Sequence, residues 1–251
     1  MRLFPPHWCR PYDAYLRRRA EAASEMQKMK SFYARFIGAG DLCFDVGANM
    51  GNRTAALIGL GAQVICVEPQ PACVKKLRNR FRKNPAVTVV ETALGEKEGQ
   101  GELYVCPQEP TISTMSVEWR QAGRFAEMYK GTKAVPVALT TLDRLIARYG
   151  RPVFCKIDVE GFEISVLKGL SQPITYISFE FTREFFGDAK NCIDHILSIG
   201  PALFNVSMGE SLSLLWQNWV EAEVLYKNIE SSDDPSLWGD IYVTFPDCAI
   251  L

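Results

Sequence analysis

The chain has 251 residues, of which 47% are hydrophobic and 23% are charged, a balance typical of a globular protein rather than a disordered one. The net charge of −1 lacks the basic surplus that a dedicated nucleic-acid binder uses to neutralise phosphates. Eight scattered cysteines without a CxxC pair, and only two histidines, disfavour a disulfide framework and a zinc site.

The two ends of the chain carry few targeting signals. The first thirty residues are densely charged and lack the apolar core of a secretory signal, and no apolar run is long enough to cross a bilayer. We therefore expect a cytoplasmic protein with no membrane partner. Residues 248–251 (CAIL) match the pattern for cysteine prenylation, although acidic residues precede them where a basic cluster is usual. The sequence leaves open whether this cysteine is ever modified.

Predicted helices and strands alternate along most of the chain. Residues 12–37 have apolar side chains at helical spacing, and two glycines follow, so we predict an N-terminal helical extension over 1–37 and one domain over 38–251. The predicted strands lie at 42–46, 64–67, 87–91, 134–137, 153–157, 174–181, 203–206 and 241–245. The predicted helices lie at 54–60, 71–82, 141–149, 164–170 and 192–199. This alternation predicts an α/β fold with a doubly wound, mostly parallel sheet.

Two long connections interrupt the alternation, at residues 105–133 and 207–240. Both are rich in polar and aromatic residues, and long connections inside a compact domain are often functional. We expect the choice of substrate to depend on them.

A glycine-bearing turn follows the first predicted strand, with the sequence DVGANMG over residues 45–51. Gly47 permits a tight turn and the close approach of a ligand, and the next helix begins with free N–H groups. The turn lacks the third glycine of GxGxxG and the lysine of a P-loop, so a phosphate-binding loop is disfavoured. Its candidate ligand-binding residues are Asp45, Gly47, Asn49 and Gly51.

An acidic residue, Glu68, ends the second predicted strand and is followed by Pro69. A carboxylate in this place can accept hydrogen bonds from both ribose hydroxyls of an adenosine-type cofactor. The turn and the acid together therefore predict an adenosine-cofactor site.

A third motif, KIDVEGFE over residues 156–163, follows the strand predicted at 153–157. In an open α/β sheet, ligands bind beyond the carboxyl ends of the strands, where Asp158 and Glu160 are predicted to lie. Either carboxylate can hold an ammonium group or accept a proton, and a simple turn with a helix cap is the alternative. We find no third ligand beside these two carboxylates and predict no metal.

Six segments occur in the order DVGANMG, VEPQP, ALGEKEG, TTLDRLI, KIDVEGFEISVLKG and ISFE. Together they cover about residues 38–182, and their order and spacing resemble the FkbM-type methyltransferases. The resemblance implies a class I methyltransferase, a Rossmann-like fold with a seven-stranded sheet whose last strand is antiparallel. It also implies S-adenosylmethionine as methyl donor, S-adenosylhomocysteine as product, and O-methylation of a hydroxyl on a sugar or natural-product-like acceptor.

The resemblance also implies roles for single residues. Asp45 and Gly47 are expected at the methionine end of the donor, and Glu68 at its ribose. Ala93 and Leu94 are expected near adenine.

Three carboxylates are candidate catalytic bases, in the order Asp158, Glu160 and Glu180. By the resemblance, Asp158 lies beside the transferring methyl group, and Glu180, which ends ISFE, faces the site. His195 is a weaker candidate because it falls in the middle of a predicted helix.

Candidate substrate contacts are taken from the two long connections. They are Ser113, Thr114, Met115, Trp119, Arg120, Trp216, Trp219 and Trp238. Aromatic faces can stack on ring substrates, whereas Trp216 and Trp219 also fit one face of an amphipathic helix.

Two other functions stay open from the residues alone. One is a nicotinamide-dependent oxidoreductase, which also uses a glycine turn and a strand-end acid, and the other is a non-catalytic module that binds an adenosine cofactor. The expected partner is a small hydroxylated molecule and no nucleic acid. A homodimer is left open.

Overall fold

The computed structural model describes residues 9–106 and 109–246. The CAIL sequence at 248–251 lies outside these described residues. The described residues form ten strands: β1 (Leu42–Val46), β2 (Gln63–Val67), β3 (Val87–Val90), β4 (Ala93–Leu94), β5 (Gly99–Tyr104), β6 (Ala134–Thr140), β7 (Phe154–Ile157), β8 (Tyr176–Thr182), β9 (Leu203–Met208) and β10 (Trp238–Thr244). The helices are α1 (Cys9–Tyr33), α2 (Asn52–Ile58), α3 (Pro71–Phe81), α4 (Val117–Ala122), α5 (Leu142–Tyr149), α6 (Glu163–Leu167), α7 (Phe186–Ile199) and α8 (Ala222–Glu230).

The main sheet has seven strands in the order β3-β2-β1-β7-β8-β10-β9. Its central strands are parallel, and only β10 runs antiparallel to both of its neighbours. The predicted α/β, doubly wound, Rossmann-like sheet with an antiparallel last strand is therefore confirmed. The chain winds outward in opposite directions from β1 and β7, so the edge above these two strands is the switch point where such folds bind ligands.

Hydrophobic side chains cover both faces of the main sheet. On one face the end of α1 and the residues after it pack into the core, where Phe36 stacks on Tyr242 and Phe154 with ring centroids 5.1 and 5.6 Å apart. The C-terminal part of the predicted extension therefore contributes to the domain core. The division of the chain at residue 37 stays a prediction.

A second, three-stranded sheet in the order β4-β6-β5 is absent from the prediction, which had only a short extended segment at 134–137. The sequence of β5, GQGELY, has two glycines and little hydrophobic alternation, so it gave no strand signal. Strand β5 is stabilised by its hydrogen-bonded pairing with β6. The pairing of β4 with β6 places Ala93 and Leu94 beside the main sheet.

The second long connection contains no helix around its tryptophans, so the interpretation of Trp216 and Trp219 as one helical face is wrong. The segment is instead held by Asn205, whose side-chain amide donates to the carbonyl of Trp216 and accepts from its N–H. Trp219 stacks on Tyr176 with centroids 6.1 Å apart. Within the described part of the chain, no helix is both long and apolar enough to cross a membrane.

Candidate active site

A cleft of about 520 Å³ opens at the carboxyl ends of β1, β2 and β7, at the switch point of the sheet. We call it the donor cleft. Many of the predicted site residues line it, namely Gly47, Asn49, Glu68, Pro69, Ala93, Leu94, Asp158 and Glu160. These residues are far apart in sequence, and the parallel strands bring them to one edge.

Gly47 allows the two central loops of the site to touch. Its φ of 79° is in the left-handed region, and a Cβ on this residue would lie 1.8 Å from the carbonyl oxygen of Asp158. Any side chain would therefore separate the turn after β1 from the loop after β7.

Asp45 and Gly51 do not line the donor cleft. Asp45 is buried below it and accepts a hydrogen bond from the hydroxyl of Thr54 in α2. Gly51 lies against Leu77 and Phe81 of α3. Both residues shape the turn on which the cleft depends.

Glu68 is buried at the floor of the cleft, with 2% of its surface exposed. One carboxylate oxygen accepts the N–H of Asn49 and the other accepts the N–H of Gln70, each at 2.8 Å. Burial raises the pKa of Glu68 to about 7, and the two N–H donors oppose this shift. Because a carboxylate has about four acceptor sites, two remain for a ligand, which fits a ribose diol.

Several lining residues were missed by the sequence analysis: Gln70, Thr92, Leu103, Thr111, Val159 and Phe162. Ser113 and Met115, predicted as substrate contacts, lie in the same lining. The hydroxyl of Ser113 donates to the side-chain oxygen of Gln70 at 3.3 Å, which ties the first long connection to the cleft. In this connection, the three hydroxyl residues among 111–114 were the local sequence signal for a polar site.

Three carboxylates converge beside the donor cleft. One oxygen each from Asp158, Glu160 and Glu180 lies within 4.8 Å of the others. The sequence predicted that Glu180 faces the site but identified no third potential metal ligand beside Asp158 and Glu160; this is corrected, because β8 brings the Glu180 carboxylate to them. This spacing would also suit a cation, but an acidic cluster alone does not establish a metal site.

The three carboxylates differ in their surroundings. Lys156 is 2% exposed, and its ammonium lies 3.3 Å from Asp158 and 2.7 Å from Asp240 of β10. Glu160 and Glu180 have no such direct partner among the described ion pairs. Burial, followed by the charges of neighbouring carboxylates, raises the pKa of both glutamates well above the usual range.

The backbone of Glu160 is held in a left-handed conformation, with φ of 56°. The hydroxyl of Thr114 donates to its carbonyl oxygen at 2.6 Å, which fixes this conformation from the first long connection. Left-handed backbone at a non-glycine residue is uncommon and concentrates at functional sites.

A second cleft of about 360 Å³ lies on the other side of this loop. We call it the outer cleft. It is lined by Gly161 after Glu160, by Glu180 and Thr182 of β8, and by Trp119 and Phe185. The ring centroids of Trp119 and Phe185 are 5.6 Å apart, so an aromatic pair forms one wall. The carboxylate cluster therefore stands between two clefts.

The sequence model of the methyltransferase FkbM domain matches residues 45–205, more than half of the chain. The chain belongs to the FkbM methyltransferase family. Proteins of this family are S-adenosylmethionine-dependent methyltransferases, so the family match favours that activity over the oxidoreductase alternative.

One curated relative of this methyltransferase is the hexuronic acid methyltransferase AglP of Haloferax volcanii, which is 23% identical over 158 residues. The alignment covers 63% of this chain and 62% of AglP, so the chain matches less than two thirds of that relative.

Two solved structures are also similar to the methyltransferase. A precorrin-6Y C5,15-methyltransferase of Geobacter metallireducens has a TM-score of 0.45 and 10% identity, over 89% of this chain and 88% of that one. A TehB-like S-adenosylmethionine-dependent methyltransferase of Corynebacterium glutamicum has a TM-score of 0.44 and 11% identity, over 96% and 100%.

The remaining predicted residues of the methyltransferase lie away from the donor cleft. The guanidinium of Arg120 lies 4.0 Å from the ring centroid of Tyr104. A ring nitrogen of His195 lies 3.1 Å from the carbonyl oxygen of Leu170. Besides Asp45 and Gly51, the predicted residues that line neither of the two clefts are Thr114, Arg120, His195, Trp216, Trp219 and Trp238.

Proposed function

We propose that this methyltransferase O-methylates a hydroxyl group of a sugar or a small natural-product-like acceptor. The observation that carries the proposal is the carboxylate cluster between the two clefts, with Glu160 lining the donor cleft and Glu180 lining the outer cleft. This arrangement suits a reaction in which two bound molecules must meet at a proton acceptor.

The donor cleft offers each part of S-adenosylmethionine a suitable group. Glu68 is suited to the ribose hydroxyls, and the apolar side chains of Leu94 and Phe162 are suited to the adenine ring. The charged Asp158 suits the amino-acid end. When bound, S-adenosylmethionine supplies an activated methyl group that carries its own leaving group.

The protein's own contribution is to orient the acceptor and to take its proton. An alcohol is a weak nucleophile, and a positioned base can speed such a step by roughly 10²- to 10⁴-fold. Glu180 is the preferred base, because it lines the outer cleft and its raised pKa makes it a stronger proton acceptor than an ordinary carboxylate. Asp158 is less suited, since the ammonium of Lys156 stabilises its charge.

Of the similar proteins named above, one distant relative supports a sugar acceptor, because it is a hexuronic acid methyltransferase. For this chain, the acceptor class rests on the aromatic and polar lining of the outer cleft.

The test is an assay of the purified chain with S-adenosylmethionine and a panel of methyl glycosides. We expect S-adenosylhomocysteine to form together with a product that gains one methyl group on oxygen, as located by mass spectrometry and NMR. Glu68→Ala is expected to abolish donor binding in calorimetry, and Glu91→Ala, at an exposed carboxylate directly after β3, is the matched control.

Binding of the donor without transfer to any hydroxylated acceptor would favour the non-catalytic module. Methylation of nitrogen or carbon instead of oxygen would contradict O-methylation while leaving the family assignment intact.

A further inference from the structure

All charged side chains that line the outer cleft are acidic. Three acidic side chains line it, Glu163, Glu180 and Asp188, and a carboxylate oxygen of Glu160 lies within 4.8 Å of one from Glu180. No lysine, arginine or histidine occurs among the described residues that line it.

The two cations that influence the nearby carboxylates are both engaged. The ammonium of Lys156 is shared between Asp158 and Asp240. The guanidinium of Arg124 makes a two-pronged contact with the carboxylate of Glu184. An anionic group in the outer cleft would therefore have to compete for a cation that already has a partner.

The outer cleft also contains a polar group with an unused hydrogen-bonding capacity. Thr182 is 4% exposed, and its hydroxyl has no hydrogen-bond partner among the described residues. A buried hydroxyl without a partner is costly, and a ligand hydroxyl would satisfy it. The aromatic pair of Trp119 and Phe185 forms the opposing apolar wall, as expected for a ring with polar edges.

We propose that the outer cleft is the acceptor subsite and that it selects a hydroxylated ring without negative charge, with an amino sugar preferred over a uronic acid. The inference rests on the proposed function, because it assigns the acceptor of that same reaction. The physical reason is that an anion would further disfavour the ionised forms of these buried, mutually repelling acidic groups, whereas a cation would stabilise the ionised forms and be attracted by them.

The test uses three probes that differ only in charge: the methyl β-glycosides of glucosamine, glucose and glucuronic acid. Binding to the whole protein is measured by saturation-transfer NMR with S-adenosylhomocysteine present, at a pH where the amine is protonated. We expect the glucosaminide to bind about tenfold more tightly than the glucuronide, with the glucoside between them. The difference should shrink as salt is added.

Two variants separate the charge effect from the shape effect. Asp188→Asn removes one charge from the cleft and should reduce the preference for the glucosaminide several-fold. Thr182→Val keeps the shape but removes the hydroxyl, so it should weaken all three probes to a similar extent. Glu230→Gln, which removes the carboxylate that pairs with Lys190, is the control and should change neither result.

Equal or tighter binding of the glucuronide would overturn the inference, as would the absence of binding by all three probes when S-adenosylhomocysteine binds normally. Methyl transfer to a glucuronide hydroxyl at the same rate as to the others would overturn the inference and leave the proposed function standing. The expected charge order without any O-methylation would support the inference and contradict the proposed function.

Discussion

The donor cleft and the outer cleft are built by different means. Most of the donor cleft is formed by turns at strand ends, whose polar groups are already hydrogen-bonded within the protein. The carboxylate of Glu68, for example, accepts the N–H groups of Asn49 and Gln70. The outer cleft is assembled from β8, α7 and the start of α6 together with a helix of the first long connection. It contains the Thr182 hydroxyl, which has no hydrogen-bond partner among the described residues, and an excess of acidic side chains. The donor cleft is therefore suited to one invariant ligand, whereas the side chains of the outer cleft can be changed without disturbing the donor cleft.

The same difference explains what the sequence could predict. Gly47, Glu68 and Asp158 were identified because each lies in a local motif at the end of a predicted strand. Thr182 carries no such signal, and Asp240 lies on β10, which inserts between β8 and β9 and reaches Lys156 only through the folded sheet.

Local sequence patterns likewise could not predict the small sheet or the contacts of the first long connection. Strand β5 is polar and rich in glycine, and its pairing with β6 is a tertiary effect. The contact of Thr114 with the carbonyl of Glu160 joins residues 46 positions apart. If the two clefts are separable, substitutions in one should leave ligand binding in the other unchanged.

The largest effect is expected from Glu180→Gln, which removes the proposed base and nearly preserves the shape of the side chain. The turnover number should fall by roughly 10²- to 10⁴-fold. The affinity for S-adenosylhomocysteine should stay unchanged, because Glu180 does not line the donor cleft. Steady-state kinetics and calorimetry measure the two quantities, with the exposed Glu223→Gln as control. A variant with normal turnover would move the role of base to another carboxylate.

Glu68→Gln should weaken ligand binding in the donor cleft without affecting binding in the outer cleft. The amide keeps one acceptor oxygen, so one of the two N–H donors at 2.8 Å loses its partner and the ribose loses a charged acceptor. We expect the affinity for S-adenosylhomocysteine to fall by about 100-fold in calorimetry. Binding of a glycoside to the outer cleft without S-adenosylhomocysteine should be unaffected. A parallel loss in both clefts would show that they are not independent.

Asp240→Asn tests the link between the clefts. Asp240 shares the ammonium of Lys156 with Asp158, so its neutralisation leaves Asp158 as the only anion on that ammonium. The electrostatic potential at Asp158 is then less negative, so this carboxylate attracts a cationic donor less strongly. We expect the affinity for S-adenosylmethionine, which carries a sulfonium, to fall about tenfold, or about 1.4 kcal/mol. The affinity for uncharged-sulfur S-adenosylhomocysteine should fall less, and an equal fall for both ligands would indicate a general loss of shape.

Glu160→Gln should shift the pH profile by altering the charge around Glu180. Burial, and then the charges of Asp158, Glu160 and Glu163, raise the pKa of Glu180 well above the usual range. A base acts when it is ionised, so the turnover number of the wild type should rise with pH through this raised pKa. Without the charge of Glu160, the pKa of Glu180 falls and the rising limb should move to lower pH. Because burial remains, the limb should still lie above that of an exposed glutamate. A limb that does not move would mean that the titrating base is not coupled to Glu160, and a loss of turnover as large as that of Glu180→Gln would make Glu160 part of the proton transfer itself.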